Sequence, residues 1–211
     1  MYIDCMKTLP APTKKRLAVL FQFLSQFGEE KVTSAHIASK TGWTEATVRR
    51  DISLIGGAAG GKGGYVSSVL RQKISCAIGI FEKAAPKKCC LVGLGRLGSV
   101  LLESPTFDNS SFYLVAGFDS SSNRTEILRS TIPLYPTAQM EKIIRAEKIA
   151  FALLAVPSDC AQKAAERLVA CGIKGIVNYT NTILSLPSDV VVENVSPSLV
   201  LASISAKLYG I

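Results

Sequence analysis

Gly93-Leu94-Gly95-Arg96-Leu97-Gly98 carries the spacing G-x-G-x-x-G, directly after the apolar run Cys89-Cys90-Leu91-Val92 and directly before a helix-forming run over 99–103. That context gives each glycine a task. Gly93 allows the tight turn from strand to helix, Gly95 lets a pyrophosphate approach the backbone, and Gly98 lets helix and strand pack closely, while the helix N-terminus supplies amide donors. Asp119 closes a second strand-like run, FYLVAGF over 112–118, and stands 21 residues beyond Gly98. An acid there accepts hydrogen bonds from the adenosine ribose hydroxyls and repels a 2′-phosphate, which favours NAD(H) over NADP(H). Arg124, five residues on, is the one nearby group able to offset that preference.

A different chemistry is written near the start. Ala46, Arg49, Arg50 and Ser53 fall on one side of a helical run whose other side carries Val48, Ile52 and Ile55. Thr44 and Glu45 open that helix, and a shorter one capped by Thr33-Ser34 and broken at Gly42 precedes it. Two short helices with a tight turn, the second apolar behind and basic in front, form the pattern of a helix-turn-helix. Thr47, Arg49, Arg50 and Ser53 are the candidate DNA contacts on the second helix. The following segment, Gly56-Gly57-Ala58-Ala59-Gly60-Gly61-Lys62-Gly63-Gly64-Tyr65, reads as a hairpin wing with Lys62 as its cation. A small helical unit of this kind also suits protein docking, and the charge distribution decides in favour of a polyanion. Residues 1–88 hold 14 Lys+Arg against 6 Asp+Glu and the remainder holds 10 against 10, so the whole formal charge of +8 lies in the N-terminal part.

The elements that position these groups follow from periodicity. Leu17, Leu20, Phe21, Leu24 and Phe27 share a face of a helix over 13–27, ended by Gly28. A connecting helix is expected over 69–84. Beyond the glycine loop, helices are expected over 138–146 and 158–170, and strands over 149–156, 175–177 and 190–192. The alternation implies an α/β fold: an N-terminal winged helix-turn-helix domain over 1–85, a Rossmann parallel-sheet domain over 86–196, and a C-terminal helix over 197–211. In such a sheet the ligand lies at the carboxyl ends of the strands, so Ala155-Val156-Pro157 and Asn178-Tyr179 join the candidate cofactor contacts, with simple turn chemistry as the alternative at Pro157.

Other function classes find little support. The single histidine, His36, lies in the presumed DNA-binding unit, and only about thirty residues follow Asn178, too few for a substrate domain, so no catalytic residue is assigned. The six cysteines include no C-x-x-C pair, which argues against zinc and disulfides; a redox-active thiol at Cys89 or Cys90 is disfavoured by their apolar surroundings. No run approaches a membrane span and no signal-peptide pattern opens the chain, so a cytoplasmic protein is expected.

Taken together, Pro12-Thr13-Lys14-Lys15-Arg16-Leu17, Val48-Arg49-Arg50-Asp51-Ile52-Ser53, Gly64-Tyr65, the glycine loop, Phe118-Asp119, Ala155-Val156-Pro157 and the run over 172–179 resemble the Rex redox-sensing repressors along nearly the whole chain. The resemblance implies a homodimer on a palindromic operator in double-stranded DNA, held with NAD⁺ and released when NADH rotates the subunits. It also implies a terminal helix that is swapped between subunits; packing of that helix within its own subunit is the alternative. Three departures stand out. The wing has Ala58, Gly60 and Gly61 where the family has cations and an aromatic, leaving Lys62. Of the three groups that link cofactor state to DNA in the family, Arg16 matches, but Ser104 replaces a tyrosine and Ser196 an aspartate. A regulator with an altered or lost redox response is therefore one alternative, and a small NAD-dependent oxidoreductase with a docking module another.

Overall fold

The computed structural model describes residues 9–57, 63–80, 87–103, 107 and 110–209. The chain divides into two compact units, Met1–Ala84 and Ala85–Ile211.

The first unit builds helix α1 (Ala11–Gln26), strand β1 (Lys31–Val32), helices α2 (Ser34–Thr41) and α3 (Glu45–Leu54), strand β2 (Tyr65–Val66) and helix α4 (Ser67–Ile78). Leu17, Leu20 and Leu24 of α1 are buried against Ile37 of α2, Val48 and Ile52 of α3, and Leu70 and Ile74 of α4, which is the apolar stripe read from the sequence closing on itself. The turn between α2 and α3 is held by its caps. Thr33 Oγ1 accepts from His36 N, Gly42 ends α2 in the left-handed conformation, and Thr44 Oγ1 accepts from Thr47 N. β1 and β2 pair antiparallel, Lys31 with Val66 and Val32 with Tyr65. A two-residue strand such as β1 has too little periodicity to be read in advance. Gly64 makes the pairing possible, since a Cβ there would lie 2.7 Å from the Val32 carbonyl oxygen. Lys62, the cation expected in the wing, lies outside the described residues.

The second unit is a six-stranded sheet of β3 (Lys87–Val92), β4 (Phe112–Asp119), β5 (Leu134–Pro136), β6 (Phe151–Leu154), β7 (Gly175–Asn178) and β8 (Val191–Asn194). All pairs are parallel, in the order β5-β4-β3-β6-β7-β8. Helices α5 (Arg96–Glu103), α6 (Ser122–Ile127), α7 (Met140–Glu147), α8 (Ser158–Ala170) and α9 (Pro197–Tyr209) accompany it. Both faces are covered. Cys90, Val92, Ala116, Phe118 and Leu154 pack with Met140, Ile144, Ala161, Ala165 and Leu168 on one side, and Cys89, Leu91, Leu114 and Leu153 form a separate core with Leu101 and Leu102 on the other. Neighbouring Cys89 and Cys90 thus point to opposite faces, and burial pushes the Cys89 thiol up to about 12 and the Cys90 thiol higher still.

Several boundaries differ from the periodicity reading, and some elements add to it. β6 is trimmed to the four residues that share hydrogen bonds with both neighbours. α4 stops at Ile78 because Gly79 adopts the left-handed conformation. α6 and β5 fall in a serine- and proline-punctuated stretch without periodicity. α9 exposes every residue, including Leu199, Leu201 and Leu208.

Candidate cofactor and nucleic-acid sites

The sheet order reverses between β3 and β6, whose shared carboxyl ends form the crevice where ligands bind in open parallel sheets. The backbone ties these ends together. Gly93 N donates to Phe118 O at 2.8 Å, Ala155 N to Val92 O at 2.8 Å, and Tyr179 N to Leu154 O at 2.9 Å. At φ +95° Gly93 turns the chain out of β3, and a Cβ on it would lie 2.4 Å from the Ala155 carbonyl oxygen. At Gly98 a Cβ would lie 1.9 Å from the Gly93 oxygen, so close packing of α5 on the loop admits only glycine. Gly95 is different: a Cβ there meets nothing within 4 Å. Its bare face opens beside the first amides of α5, which helix geometry leaves without intrahelical partners. A pyrophosphate fits that space and those donors. Leu94 is buried, and Arg96 and Leu97 are exposed on the first turn of α5.

Asp119 is buried at the end of β4, and each of its oxygens serves the local backbone. Oδ2 accepts from Leu94 N at 2.7 Å and Oδ1 from Ser121 N at 2.8 Å. Oδ1 retains a further lone pair, so acceptance from a ribose is compatible with this anchoring. Arg124 Nη1 lies 3.5 Å from Oδ2. Beyond it, Leu94, Asn123, Arg124, Ile127, Leu128 and Arg129 line an open pocket of about 260 Å³ next to the acid. Asn123, on α6, and Arg129, just beyond it, line this pocket without having been read from the sequence, because the stretch has no legible periodicity.

Among the later turns, Ala155, Val156 and Tyr179 are half-buried and Pro157 is exposed at the start of α8. Asn178 is fully buried and commits its amide to the loop. Nδ2 donates to Thr182 O and to Asn194 Oδ1, both at 2.8 Å, while Oδ1 accepts from Thr180 N at 3.1 Å and Thr180 Oγ1 at 2.7 Å. Asn178 therefore shapes the turn from behind, and the neighbouring Tyr179 packs half-buried against the core around Leu91 and Leu94.

In the first unit, Arg49, Arg50 and Ser53 are exposed on one side of α3, and Thr47 is half-buried at its first turn. On the core side, Asp51 is buried and receives Arg16 Nε at 2.5 Å, Arg16 Nη2 at 2.9 Å and Thr13 Oγ1 at 3.1 Å. Its carboxylate pushes Arg16 above the usual guanidinium value. Of the other two switch positions, Ser196 is buried and its Oγ lies 3.4 Å from Asn181 Oδ1 and 2.8 Å from Ser198 Oγ, while Ser104 lies outside the described residues.

Residues 84–182 match the family described as "CoA binding domain", and residues 8–53 match that described as "Putative DNA-binding protein N-terminus". The redox-sensing transcriptional repressor Rex of Limosilactobacillus reuteri is 33% identical over 192 residues, covering 90% of this chain and 88% of that protein. Its counterpart in an Exiguobacterium species is 33% identical over 203 residues, covering 93% and 90%. The chain belongs to the Rex family of redox-sensing transcriptional repressors. The crystal structure of the Rex-family repressor RSP in complex with NAD⁺ and operator DNA superposes with a TM-score of 0.82 at 27% identity, covering 95% of this chain and 92% of that one. The RSP complex with NADH does so at 0.80 and 26%, covering 95% and 94%. Rex membership sets the chain among transcriptional repressors and away from the small oxidoreductase that the glycine loop alone left open. Among the described residues there is no cluster of three or more metal-ligating side chains, and no helix is long and apolar enough to cross a membrane.

Proposed function

We propose that this Rex protein is a cytoplasmic homodimer that represses transcription from a palindromic operator and reads the NADH/NAD⁺ balance. The observation that carries the cofactor part is the open face of Gly95 between two glycines that tolerate no side chain. Gly93, Leu94, Gly95, Arg96, Leu97 and Gly98 would hold the pyrophosphate, Asp119 the adenosine ribose, and Ala155, Val156, Pro157 and Tyr179 the far half of the dinucleotide, with Asn178 fixing the turn beneath. The dinucleotide would supply a signal through its oxidation state rather than a reaction. Thr47, Arg49, Arg50, Ser53 and Lys62 would face DNA, and the exposed apolar α9 would find its partner in a second subunit.

The cofactor contributes only through differential affinity for the DNA-competent and released states. RSP holds operator DNA in a complex with NAD⁺, which supports release by NADH. Fluorescence anisotropy on a selected palindrome should show at least tenfold weaker binding with NADH than with NAD⁺; equal binding with both removes the sensing claim.

A second reading, DNA binding with an altered redox response, is favoured by Ser104 and Ser196. Nε and Nη2 of Arg16 are already bound to Asp51, and Ser196 is engaged with Asn181 and Ser198. Under this reading the same titration is flat, and the double change S104Y/S196D creates or sharpens the NADH effect.

A further inference from the structure

Arg49 and Arg50 are neighbours on α3 with opposite circumstances. Arg49 Nε donates to Ser34 Oγ at 3.1 Å, Nη2 donates to Glu45 Oε2, and Ser34 Oγ donates to the same Oε2 at 3.3 Å. Three side chains from α2 and α3 thereby close a ring around one edge of the guanidinium. Arg50 is exposed and has no side-chain partner among the described residues.

The ring uses the Nε edge of Arg49 and one Nη2 hydrogen. The outer edge, formed by Nη1 and the second Nη2 hydrogen, keeps its donors. Two parallel donors in a plane match O6 and N7 of guanine in the major groove, the commonest specific arginine contact. A free arginine would have to surrender its rotamers on binding, whereas one already braced gives up little. Glu45 otherwise makes poor sense on a surface meant for phosphate, where a lone carboxylate is repelled. Paired with Arg49 at i,i+4, it neutralises that repulsion and sets the direction of the fork.

We propose that Ser34 and Glu45 are positioning residues that aim Arg49 at one guanine in each operator half-site, leaving Arg50 to neutralise phosphate. The inference rests on the DNA-binding reading above and adds a division of labour that the reading does not contain.

Selection from a randomised duplex library at low ionic strength, using the full-length protein, tests it. The wild type should enrich a palindrome with one guanine per half-site preferred by about tenfold or more over other bases. R49A should relax that base pair alone. E45A should relax the same base pair to within a few-fold of indifference, with E45Q and S34A intermediate. R50A should instead weaken binding to all sequences alike and lower the salt slope by about one. E45Q keeps the side chain's length and one acceptor, so it guards against a general loss of helix in E45A. Preference at the Arg49 position unchanged in both Glu45 variants overturns the proposal. Relaxation at a different base pair also overturns it, because Glu45 would then be reading cytosine itself. A wild type that enriches nothing removes the DNA reading and this inference together; an enriched palindrome insensitive to Glu45 removes the inference alone.

Discussion

Arg16 on α1 and Asp51 on α3 meet fork to fork, Nε to Oδ2 at 2.5 Å and Nη2 to Oδ1 at 2.9 Å, with Asp51 nearly excluded from solvent and Arg16 29% exposed. The pair pins the helix that carries Arg49 and Arg50 to the first helix of the unit. It is asymmetric, because Arg16 can turn to water, whereas Asp51 is buried and, among the described residues, has Thr13 as its other side-chain donor.

That asymmetry sets the order of two variants. R16A strands a buried carboxylate and should destabilise the first unit by about 2–3 kcal/mol, whereas D51A leaves a half-solvated arginine and should cost about 1 kcal/mol. Trp43 is the only tryptophan in the chain and packs against the core of this unit, so urea melts followed by its fluorescence report the right transition. Equal losses would mean that Asp51 is not the buried, dependent member.

The glycine loop separates binding from folding. G95A places a methyl group in open space, so its thermal stability should stay within about 0.5 kcal/mol of wild type, while NADH affinity falls at least tenfold because the methyl occupies the approach to the α5 amides. G98A drives a Cβ into the Gly93 carbonyl and should lower both stability and affinity. Calorimetric titration and a melt on each variant decide it; a G95A protein that binds NADH normally would locate the pyrophosphate elsewhere.

The parts of this architecture that were legible in the sequence are those fixed by short-range rules. The cap at Thr44, the stop at Gly42 and the G-x-G-x-x-G turn each depend on residues a few positions apart, and the acid at Asp119 follows from its place at the end of the next strand-like run. α8 was read over its full length, 158–170, because its apolar positions keep a clean helical period. β1 and β5 escaped because two- and three-residue strands exist only through pairing with distant partners, Val66 and Gly117 among them. The same holds for the site. Gly95 was assigned its role from spacing, but the engagement of Asp51 with Arg16, 35 residues away, and the inward commitment of the Asn178 amide to Asn194 are tertiary facts with no local signature.

The buried cysteines predict an alkaline weakness. The Cys89 thiol stays protonated in the folded chain up to about 12, against an ordinary value of 9.0 when unfolded. Above that ordinary value the unfolded state binds fewer protons than the folded one, so stability falls as pH rises, by ~1.4 kcal/mol per pH unit for each such thiol, and nothing is lost below it. Urea melts between pH 8 and 11 should show a shallower decline for C89A/C90A than for wild type. Parallel declines would show that other groups dominate.

Helix α9 supplies the last prediction, because its composition conflicts with its surroundings in one chain. Leu199, Leu201 and Leu208 are 59%, 64% and 68% exposed, and no residue of the helix is buried. A helix of this length is marginal in water on its own, and an exposed apolar run of this kind marks an interface. A second copy satisfies it symmetrically, and a palindrome needs that same twofold arrangement to engage two recognition helices at once. L201K/L208K should therefore sediment as a monomer while retaining NADH binding, since neither residue belongs to the glycine loop or the Asp119 crevice. Its affinity for a full palindrome should drop by about 10²-fold or more, the loss expected when a second contact is no longer intramolecular, while affinity for an isolated half-site stays near the wild-type value. A double-lysine variant that remains dimeric at micromolar concentration would place the subunit contact on another face and leave the exposed leucines of α9 without a partner.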